Sequence, residues 1–114
     1  MNQRHPTTDN RIAFVQSCWH RDIVDECRKA FVAEIVRLGL PEDRIDHYEV
    51  PGVFEIPLEA KLLAESGRYQ AIVASGLVVN GGIYRHEFVS DAVINGLMQV
   101  QLATSVPVIS AVLT

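Results

Sequence analysis

The chain has 114 residues, 48% of them apolar, which suffices for one compact core and is too little for two. Ten Lys and Arg stand against 14 Asp and Glu, a formal net charge of −4 with no run of like charge, so nucleic-acid and membrane-surface arms are excluded. No segment reaches the eighteen or so consecutive apolar residues of a bilayer span.

Residues 1–10 are polar, without the basic start and apolar run of a secretory leader, and read as a loose tail. Ile12-Ala13-Phe14-Val15 is a compact β-type run. From Ile23 to Leu38 apolar residues recur at Val24, Cys27, Phe31, Ile35 and Leu38, one face of a helix that Gly39 closes. Cys18 and Cys27 are too few and too loosely spaced for a zinc knuckle or a disulfide framework, and both read as reduced thiols of a cytoplasmic protein.

His47 to Val50 reads as a second strand ending at Pro51-Gly52. A second helix runs from Pro57, suited to a first turn, to Gly67, suited to a C-terminal cap. Ala71 to Ala74 is a third strand, continuing through Gly76-Leu77-Val78-Val79. After Gly81 and Gly82 an apolar helix is expected over His86 to Thr104, and a fourth strand over Val106 to Leu113. Continuous apolar strands separated by helices imply a parallel sheet covered on both faces. The expected architecture is a single domain: a flavodoxin-like, doubly wound, four-stranded parallel sheet in a three-layer α/β/α arrangement.

In such sheets ligands bind beyond the carboxyl ends of the strands. The chemically distinctive residues collect there: Ser17-Cys18-Trp19-His20 after strand one, Pro51 to Glu55 after strand two, Asn80 to His86 after strand three, and Ser110 within strand four. A lone tryptophan is ordinarily a core or rim filler, but Trp19 stands just past a strand end rather than inside a periodic segment, where a flat ring can stack on a heterocycle. Glu55 precedes a helix, where an acid suits the dipole, and its carboxylate can equally accept bonds from polyol hydroxyls. Gly81 and Gly82 before a helix make either an ordinary turn or a phosphate cradle of free N–H groups. Arg85 and His86 put a fixed cation and a titratable imidazole at that helix start, against the dipole, which favours function over a solvated first turn. His5 and His47 read as exposed and idle, and no pair of histidines has metal-ligand spacing, so no metal is expected. The third strand supplies no phosphoacceptor aspartate at its end, which argues against a response regulator.

Pro51-Gly52-Val53-Phe54-Glu55-Ile56-Pro57 resembles a lumazine synthase motif, and Gly76 to Val89 is similar to that family's glycine-rich loop and catalytic helix. With Trp19 at the aromatic position and Val106-Pro107-Val108-Ile109 in the last strand, the resemblance keeps one register across nearly the whole chain. It implies a transferase of riboflavin biosynthesis that joins 5-amino-6-(D-ribitylamino)uracil to 3,4-dihydroxy-2-butanone 4-phosphate. The product is 6,7-dimethyl-8-ribityllumazine, with release of phosphate and water and without a redox cofactor or metal.

By the same resemblance Trp19 stacks on the pyrimidine, Val53, Phe54 and Glu55 hold the ribityl chain, Leu77, Val78 and Val79 read the pyrimidine edge, and Gly82 and Ile83 receive the phosphate. Arg85 stands where the family commonly has its catalytic histidine, with His86 one residue later, so the catalytic candidates are Arg85, suited to orienting or neutralising charge, and His86, suited to proton transfer. Adjacent helical residues point about 100° apart, so that one of the two faces the substrate. Ser110 replaces a common aromatic. These departures resemble a divergent bacterial type that forms decamers from two pentamers, so the implied partners are small-molecule substrates and further copies of the chain. Family members continue beyond the position of Thr114 into a short and a long helix, so the sequence is expected to be incomplete there, with one sheet face short of cover. A second reading keeps the fold but not the chemistry: an oligomer that holds a flavin or lumazine without turnover.

Overall fold

The computed structural model describes residues 10–78 and 86–113, with only the backbone of 86, 87 and 113. The N-terminal tail up to residue 9 and the expected strand continuation at Val79 lie outside the described residues. In chain order the elements are β1 (Arg11–Ser17), α1 (Arg21–Arg37), β2 (Ile45–Val50), a 3-10 turn (Val53–Glu55), α2 (Ile56–Glu65), β3 (Tyr69–Leu77), α3 (His86–Thr104) and β4 (Val108–Leu113).

The four strands form one sheet in the order β2-β1-β3-β4, and every pairing is parallel. Side chains alternate between its two faces. Ile12, Phe14, Ile45 and Val73 point to one face, where Phe31, Val32 and Ile35 of α1 cover them. Ala13, Val15, Ile72 and Ala74 point to the other, against Ile56, Ala60 and Leu63 of α2 and Val93, Leu97 and Val100 of α3. The fold is therefore the three-layer, doubly wound, flavodoxin-like arrangement that the alternation of apolar strands and helices implies. Ile109 of the edge strand β4 pairs with Val73 and so belongs to the α1 side, yet it is 53% exposed.

Local chemistry sets where the elements end. Gly39 has φ 114°, and the bonds Gly39 N–H to Val36 O and Leu40 N–H to Ile35 O make the paired C-terminal closure that a left-handed residue permits. Gly96 of α3 faces Pro57 of α2: a Cβ there would lie 3.1 Å from the proline ring, so the missing side chain lets the two helices touch. Two strands differ from expectation. β2 starts at Ile45 rather than His47, because Ile45 is buried under α1 and the charged stretch before it forms a short 3-10 turn (Glu42–Arg44). β4 starts at Val108 rather than Val106, since the Pro107 ring has no N–H to donate and only its carbonyl bonds, to Ile72 N–H.

The opening ends of the strands are tied by charge. Asp46 of β2 accepts from Arg11 Nη2 at 2.6 Å and Nε at 3.1 Å, and from the Tyr69 hydroxyl at 2.6 Å, with Arg68 Nη2 at 3.5 Å. The proton of Tyr69 being committed to Asp46, Tyr48 donates its own to Tyr69 across 2.5 Å. The Arg11 guanidinium, helped by the Tyr69 hydroxyl, holds the Asp46 carboxyl down to about 2, against an ordinary 3.8. Between those values the unfolded chain binds a proton that the folded chain refuses, so this stabilisation is present above about pH 4 and is lost as pH falls toward 2. With screening by nearby solvent it is on the order of 1–2 kcal/mol. Asp46→Asn should lower the urea midpoint at neutral pH and flatten its fall between about pH 4 and pH 2. An unchanged acid dependence in the variant would remove Asp46 from the account.

Candidate active site

β1, β2 and β3 run in parallel register, so Ser17, Val50 and Gly76 end level at one edge of the sheet. The segment leaving each strand must share that edge. Cys18 continues β1 and is bound twice to the end of β2, by N–H to Val50 O at 3.1 Å and by Sγ to the same oxygen at 3.1 Å. His20 then adopts the left-handed region at φ 54°, which turns the chain sharply into α1. Trp19, on that corner, is 65% exposed. On the other side of the same β1 end, Gln16 Nε2 donates to Asp25 of α1 at 2.7 Å. The corner that carries the indole is thus fixed from two directions.

Glu55 closes the 3-10 turn over the end of the sheet and leads into α2 as its cap residue. Its carboxylate makes no capping bond. The backbone of Gly52 brings it to the tryptophan: a Cβ built on Gly52 would lie 3.1 Å from Glu55 Oε1 and 3.9 Å from both Cδ1 and Nε1 of Trp19. An exposed carboxylate and the edge of an exposed indole therefore converge on one backbone position. Such a pair suits a ligand with a flat ring and adjacent hydroxyls.

The turn is seated on Gly76. A Cβ at Gly76 would fall 2.7 Å from Val53 Cγ1, 2.8 Å from Ser17 Oγ and 3.4 Å from Ile56 Cδ1, so the turn sits directly on the bare strand backbone. Beneath it Ser17 Oγ is fully buried with no hydrogen-bond partner among the described residues. Val53 is partly buried by this packing, while Phe54 is turned outward and 53% exposed. Leu77 closes β3 half-buried, and Val78 after it is buried.

Of the residues expected at the site, the structure brings together Trp19, Val53 and Glu55, with Leu77 and Val78 on the strand beside them. Ser110 is not among them. It lies on β4, opposite Ala74 and well below the strand end, with β3 between it and β1. That separates it from β1 by roughly 10 Å of sheet. Val79, Gly82, Ile83 and Arg85 lie outside the described residues. His86 is the first residue of α3, and its side chain lies outside them as well. Sequence reasoning passed over Gly76, Gly52 and Cys18 as site-forming residues. For Gly52 the signal lies only in the structure, where its extended backbone asks for no glycine and the missing side chain serves space.

A cavity of about 260 Å³ opens on the α1 side between β1 and β2, lined by Phe14, Gln16, Arg21, Asp25, His47 and Glu49. Its charges pair internally, Arg21 with Glu49 and Arg28, also in the lining, with Asp25, which accepts from Gln16 as well, and Trp19 and Glu55 take no part in it. The exposed Trp19–Glu55 pair, whose carboxylate makes no capping bond, is the candidate site. Among the described residues no group of three His, Cys, Asp or Glu could hold a metal ion, and no helix is long and apolar enough to cross a membrane.

Comparison with known proteins places relatives beside this geometry. The family model described as 6,7-dimethyl-8-ribityllumazine synthase matches residues 9–114. The chain is 66% identical to a 6,7-dimethyl-8-ribityllumazine synthase of Rhodococcus erythropolis over 91% of its length and 67% of the relative's. It is 60% identical to 6,7-dimethyl-8-ribityllumazine synthase 2 of Pseudomonas syringae pv. tomato over 99% of its length and 65% of the relative's. The corresponding protein of Bradyrhizobium diazoefficiens is 64% identical over 91% of this chain and 62% of its own length. The chain thus spans about two thirds of the length of the curated relatives it matches.

The seat on Gly76 makes a prediction that Trp19 and Glu55 do not. Gly76→Ala must displace partly buried Val53 or fully buried Ser17 and should destabilise the fold by about 1–3 kcal/mol, several degrees in melting temperature. Ser17→Ala in the same chain removes one of the two clashing atoms and should restore part of the loss. Gly76→Ala melting with the parent protein would show that the turn is not seated there.

Proposed function

The chain belongs to the 6,7-dimethyl-8-ribityllumazine synthase family, and from that membership we propose that the full-length protein condenses 5-amino-6-(D-ribitylamino)uracil with 3,4-dihydroxy-2-butanone 4-phosphate, releasing phosphate and water. The observation that carries this for the present residues is the convergence of Trp19 and Glu55 on Gly52. The indole takes the pyrimidine ring, and the Glu55 carboxylate, with Val53 and Phe54 beside it, takes the hydroxyls of the ribityl chain. Leu77, Val78 and Val79 read the pyrimidine edge, and Gly82 and Ile83 hold the phosphate ahead of α3. Arg85 orients and neutralises the second substrate, and His86, whose imidazole can both accept and donate a proton, moves protons during imine formation and ring closure. The reaction calls for no redox cofactor and no metal, and its setting is the cytoplasm.

The protomer supports a role for further copies. Leu58 and Leu62 of α2, and Ile94, Met98 and Leu102 of α3, recur four residues apart and are exposed, Leu102 by 74%, so they serve no core among the described residues. Ser110, two strands from the cleft within one protomer, becomes a site residue where a neighbour's β4 edge meets that cleft. We infer a pentamer with pockets between subunits, paired into a decamer. Mixing both substrates with full-length protein should generate lumazine absorbance, and size separation with light scattering should place the activity in the pentamer or a multiple of it. An active monomer would sink the shared pocket, and binding of the pyrimidine without turnover would leave a holder of lumazine-like ligands in place of an enzyme.

Trp19→Ala should weaken the ribitylaminouracil by tenfold or more, since base stacking on an aromatic ring is worth roughly 1–3 kcal/mol, and leave the KM of the phosphate substrate nearly unchanged. Equal losses for both substrates would instead mean that Trp19 supports the corner rather than the ring.

A further inference from the structure

Gly52 is a glycine where the backbone does not ask for one. Its φ of −151° and ψ of 175° are extended, and any residue adopts them. What a side chain would do is occupy space. Its first carbon would stand 3.1 Å from Glu55 Oε1 and 3.9 Å from the pyrrole edge of Trp19. The closer neighbour is the free end of an exposed side chain that caps no helix, so it can swing away without disturbing the core. This differs from Gly76, where the atoms in the way belong to partly or fully buried residues. A methyl at Gly52 therefore leaves the fold alone and moves the carboxylate.

We propose that Gly52 is a specificity-determining residue for the lumazine-forming reaction. Its bare Cα keeps the Glu55 carboxylate seated beside the Trp19 ring edge, so that one ligand can stack and offer its hydroxyls at the same time. The class of ligand selected is a planar heterocycle carrying a short polyol. A heterocycle without the polyol needs only the indole and is indifferent to residue 52. Gly52 acts through Glu55, as a positioning residue, and spends no polar group on the ligand. The inference rests on the proposed function, to which it adds the means by which the two halves of the ligand are read together.

The test uses the full-length protein, whose tryptophan in this stretch of chain, the exposed Trp19, reports ligand by fluorescence. Two probes are compared, 5-amino-6-(D-ribitylamino)uracil and 5,6-diaminouracil, the same ring without the tail. Gly52→Ala should weaken the ribityl compound about tenfold, the loss of a hydrogen-bond set to a charged group, and leave the tail-less ring unchanged. Its melting temperature should equal or exceed that of the parent, because alanine narrows the unfolded ensemble at a position it can adopt. Added to Glu55→Ala, which removes the group it positions, Gly52→Ala should cost nothing more.

Equal weakening of both probes, a lower melting temperature, or full additivity with Glu55→Ala would each overturn the inference, as would undiminished binding of the ribityl compound by Gly52→Ala. A parent protein that responds to neither pyrimidine fails differently. It would remove the proposed function itself, and the role of Gly52 with it.

Discussion

The missing side chain at Gly76 sets how closely the turn Val53–Glu55 can lie on the sheet, and the upper edge of the molecule is built on that approach. Val53 Cγ1 and Ser17 Oγ both occupy the space a Cβ would need. Moving the turn outward by one methyl would carry Glu55 away from the β1 corner, where Trp19 stands. The approach in turn depends on the parallel register, which ends β1 and β3 level, with Gln16 opposite Ser75, so that the floor under the turn is flat. The site is therefore a property of strand register before it is a property of any polar residue.

The two ends of the sheet are held by different means, and the difference suits their tasks. At the opening ends of the strands, Asp46 gathers Arg11, Arg68 and Tyr69, so polar groups from three strands satisfy one another. At the carboxyl ends the ties are Cys18 to Val50, Gln16 to Asp25 and the ion pair of Arg21 with Glu49, while the Glu55 carboxylate makes no cap bond. Ser17 Oγ, Ser75 Oγ and Gln16 Oε1 lie buried near that end without partners among the described residues, a polarity in the floor of the site that packing alone does not require.

Much of the fold was legible because it rests on periodicity. The helix over His86–Thr104 has the expected bounds, and the α1 stripe of Phe31 and Ile35 does cover Phe14. Boundaries failed where single residues competed with the pattern: Ile45 is one isolated apolar residue among charges, and Pro107 follows a valine that looks like a strand. The candidate site was legible in part. Trp19 and Glu55 stood out by type and by position after strands, but the atom-scale reason they meet, the bare Cα of Gly52, carries no signal of its own in a single sequence. Ser110 was drawn to the site by resemblance, and the strand order keeps it away within one protomer. A sequence read alone cannot say on which side of a subunit boundary a residue acts.

The exchange of histidine for arginine at position 85 becomes intelligible on the proposed reaction. Joining two bound substrates draws most of its acceleration from holding them in reacting geometry, an effect of roughly 7–11 kcal/mol when alignment is good. One general acid or base contributes about 10²–10⁴-fold, a smaller share. A scaffold that fixes the ring at Trp19 and the polyol at Glu55 retains the larger share whichever residue carries the proton. On the proposed function, charge matters more than proton transfer at position 85, since a phosphate must be held and released. A guanidinium meets that need at every physiological pH, whereas an imidazole meets it only when protonated. On the proposed function the two demands fall to neighbours in the sequence, the fixed charge to Arg85 and the mobile proton to His86.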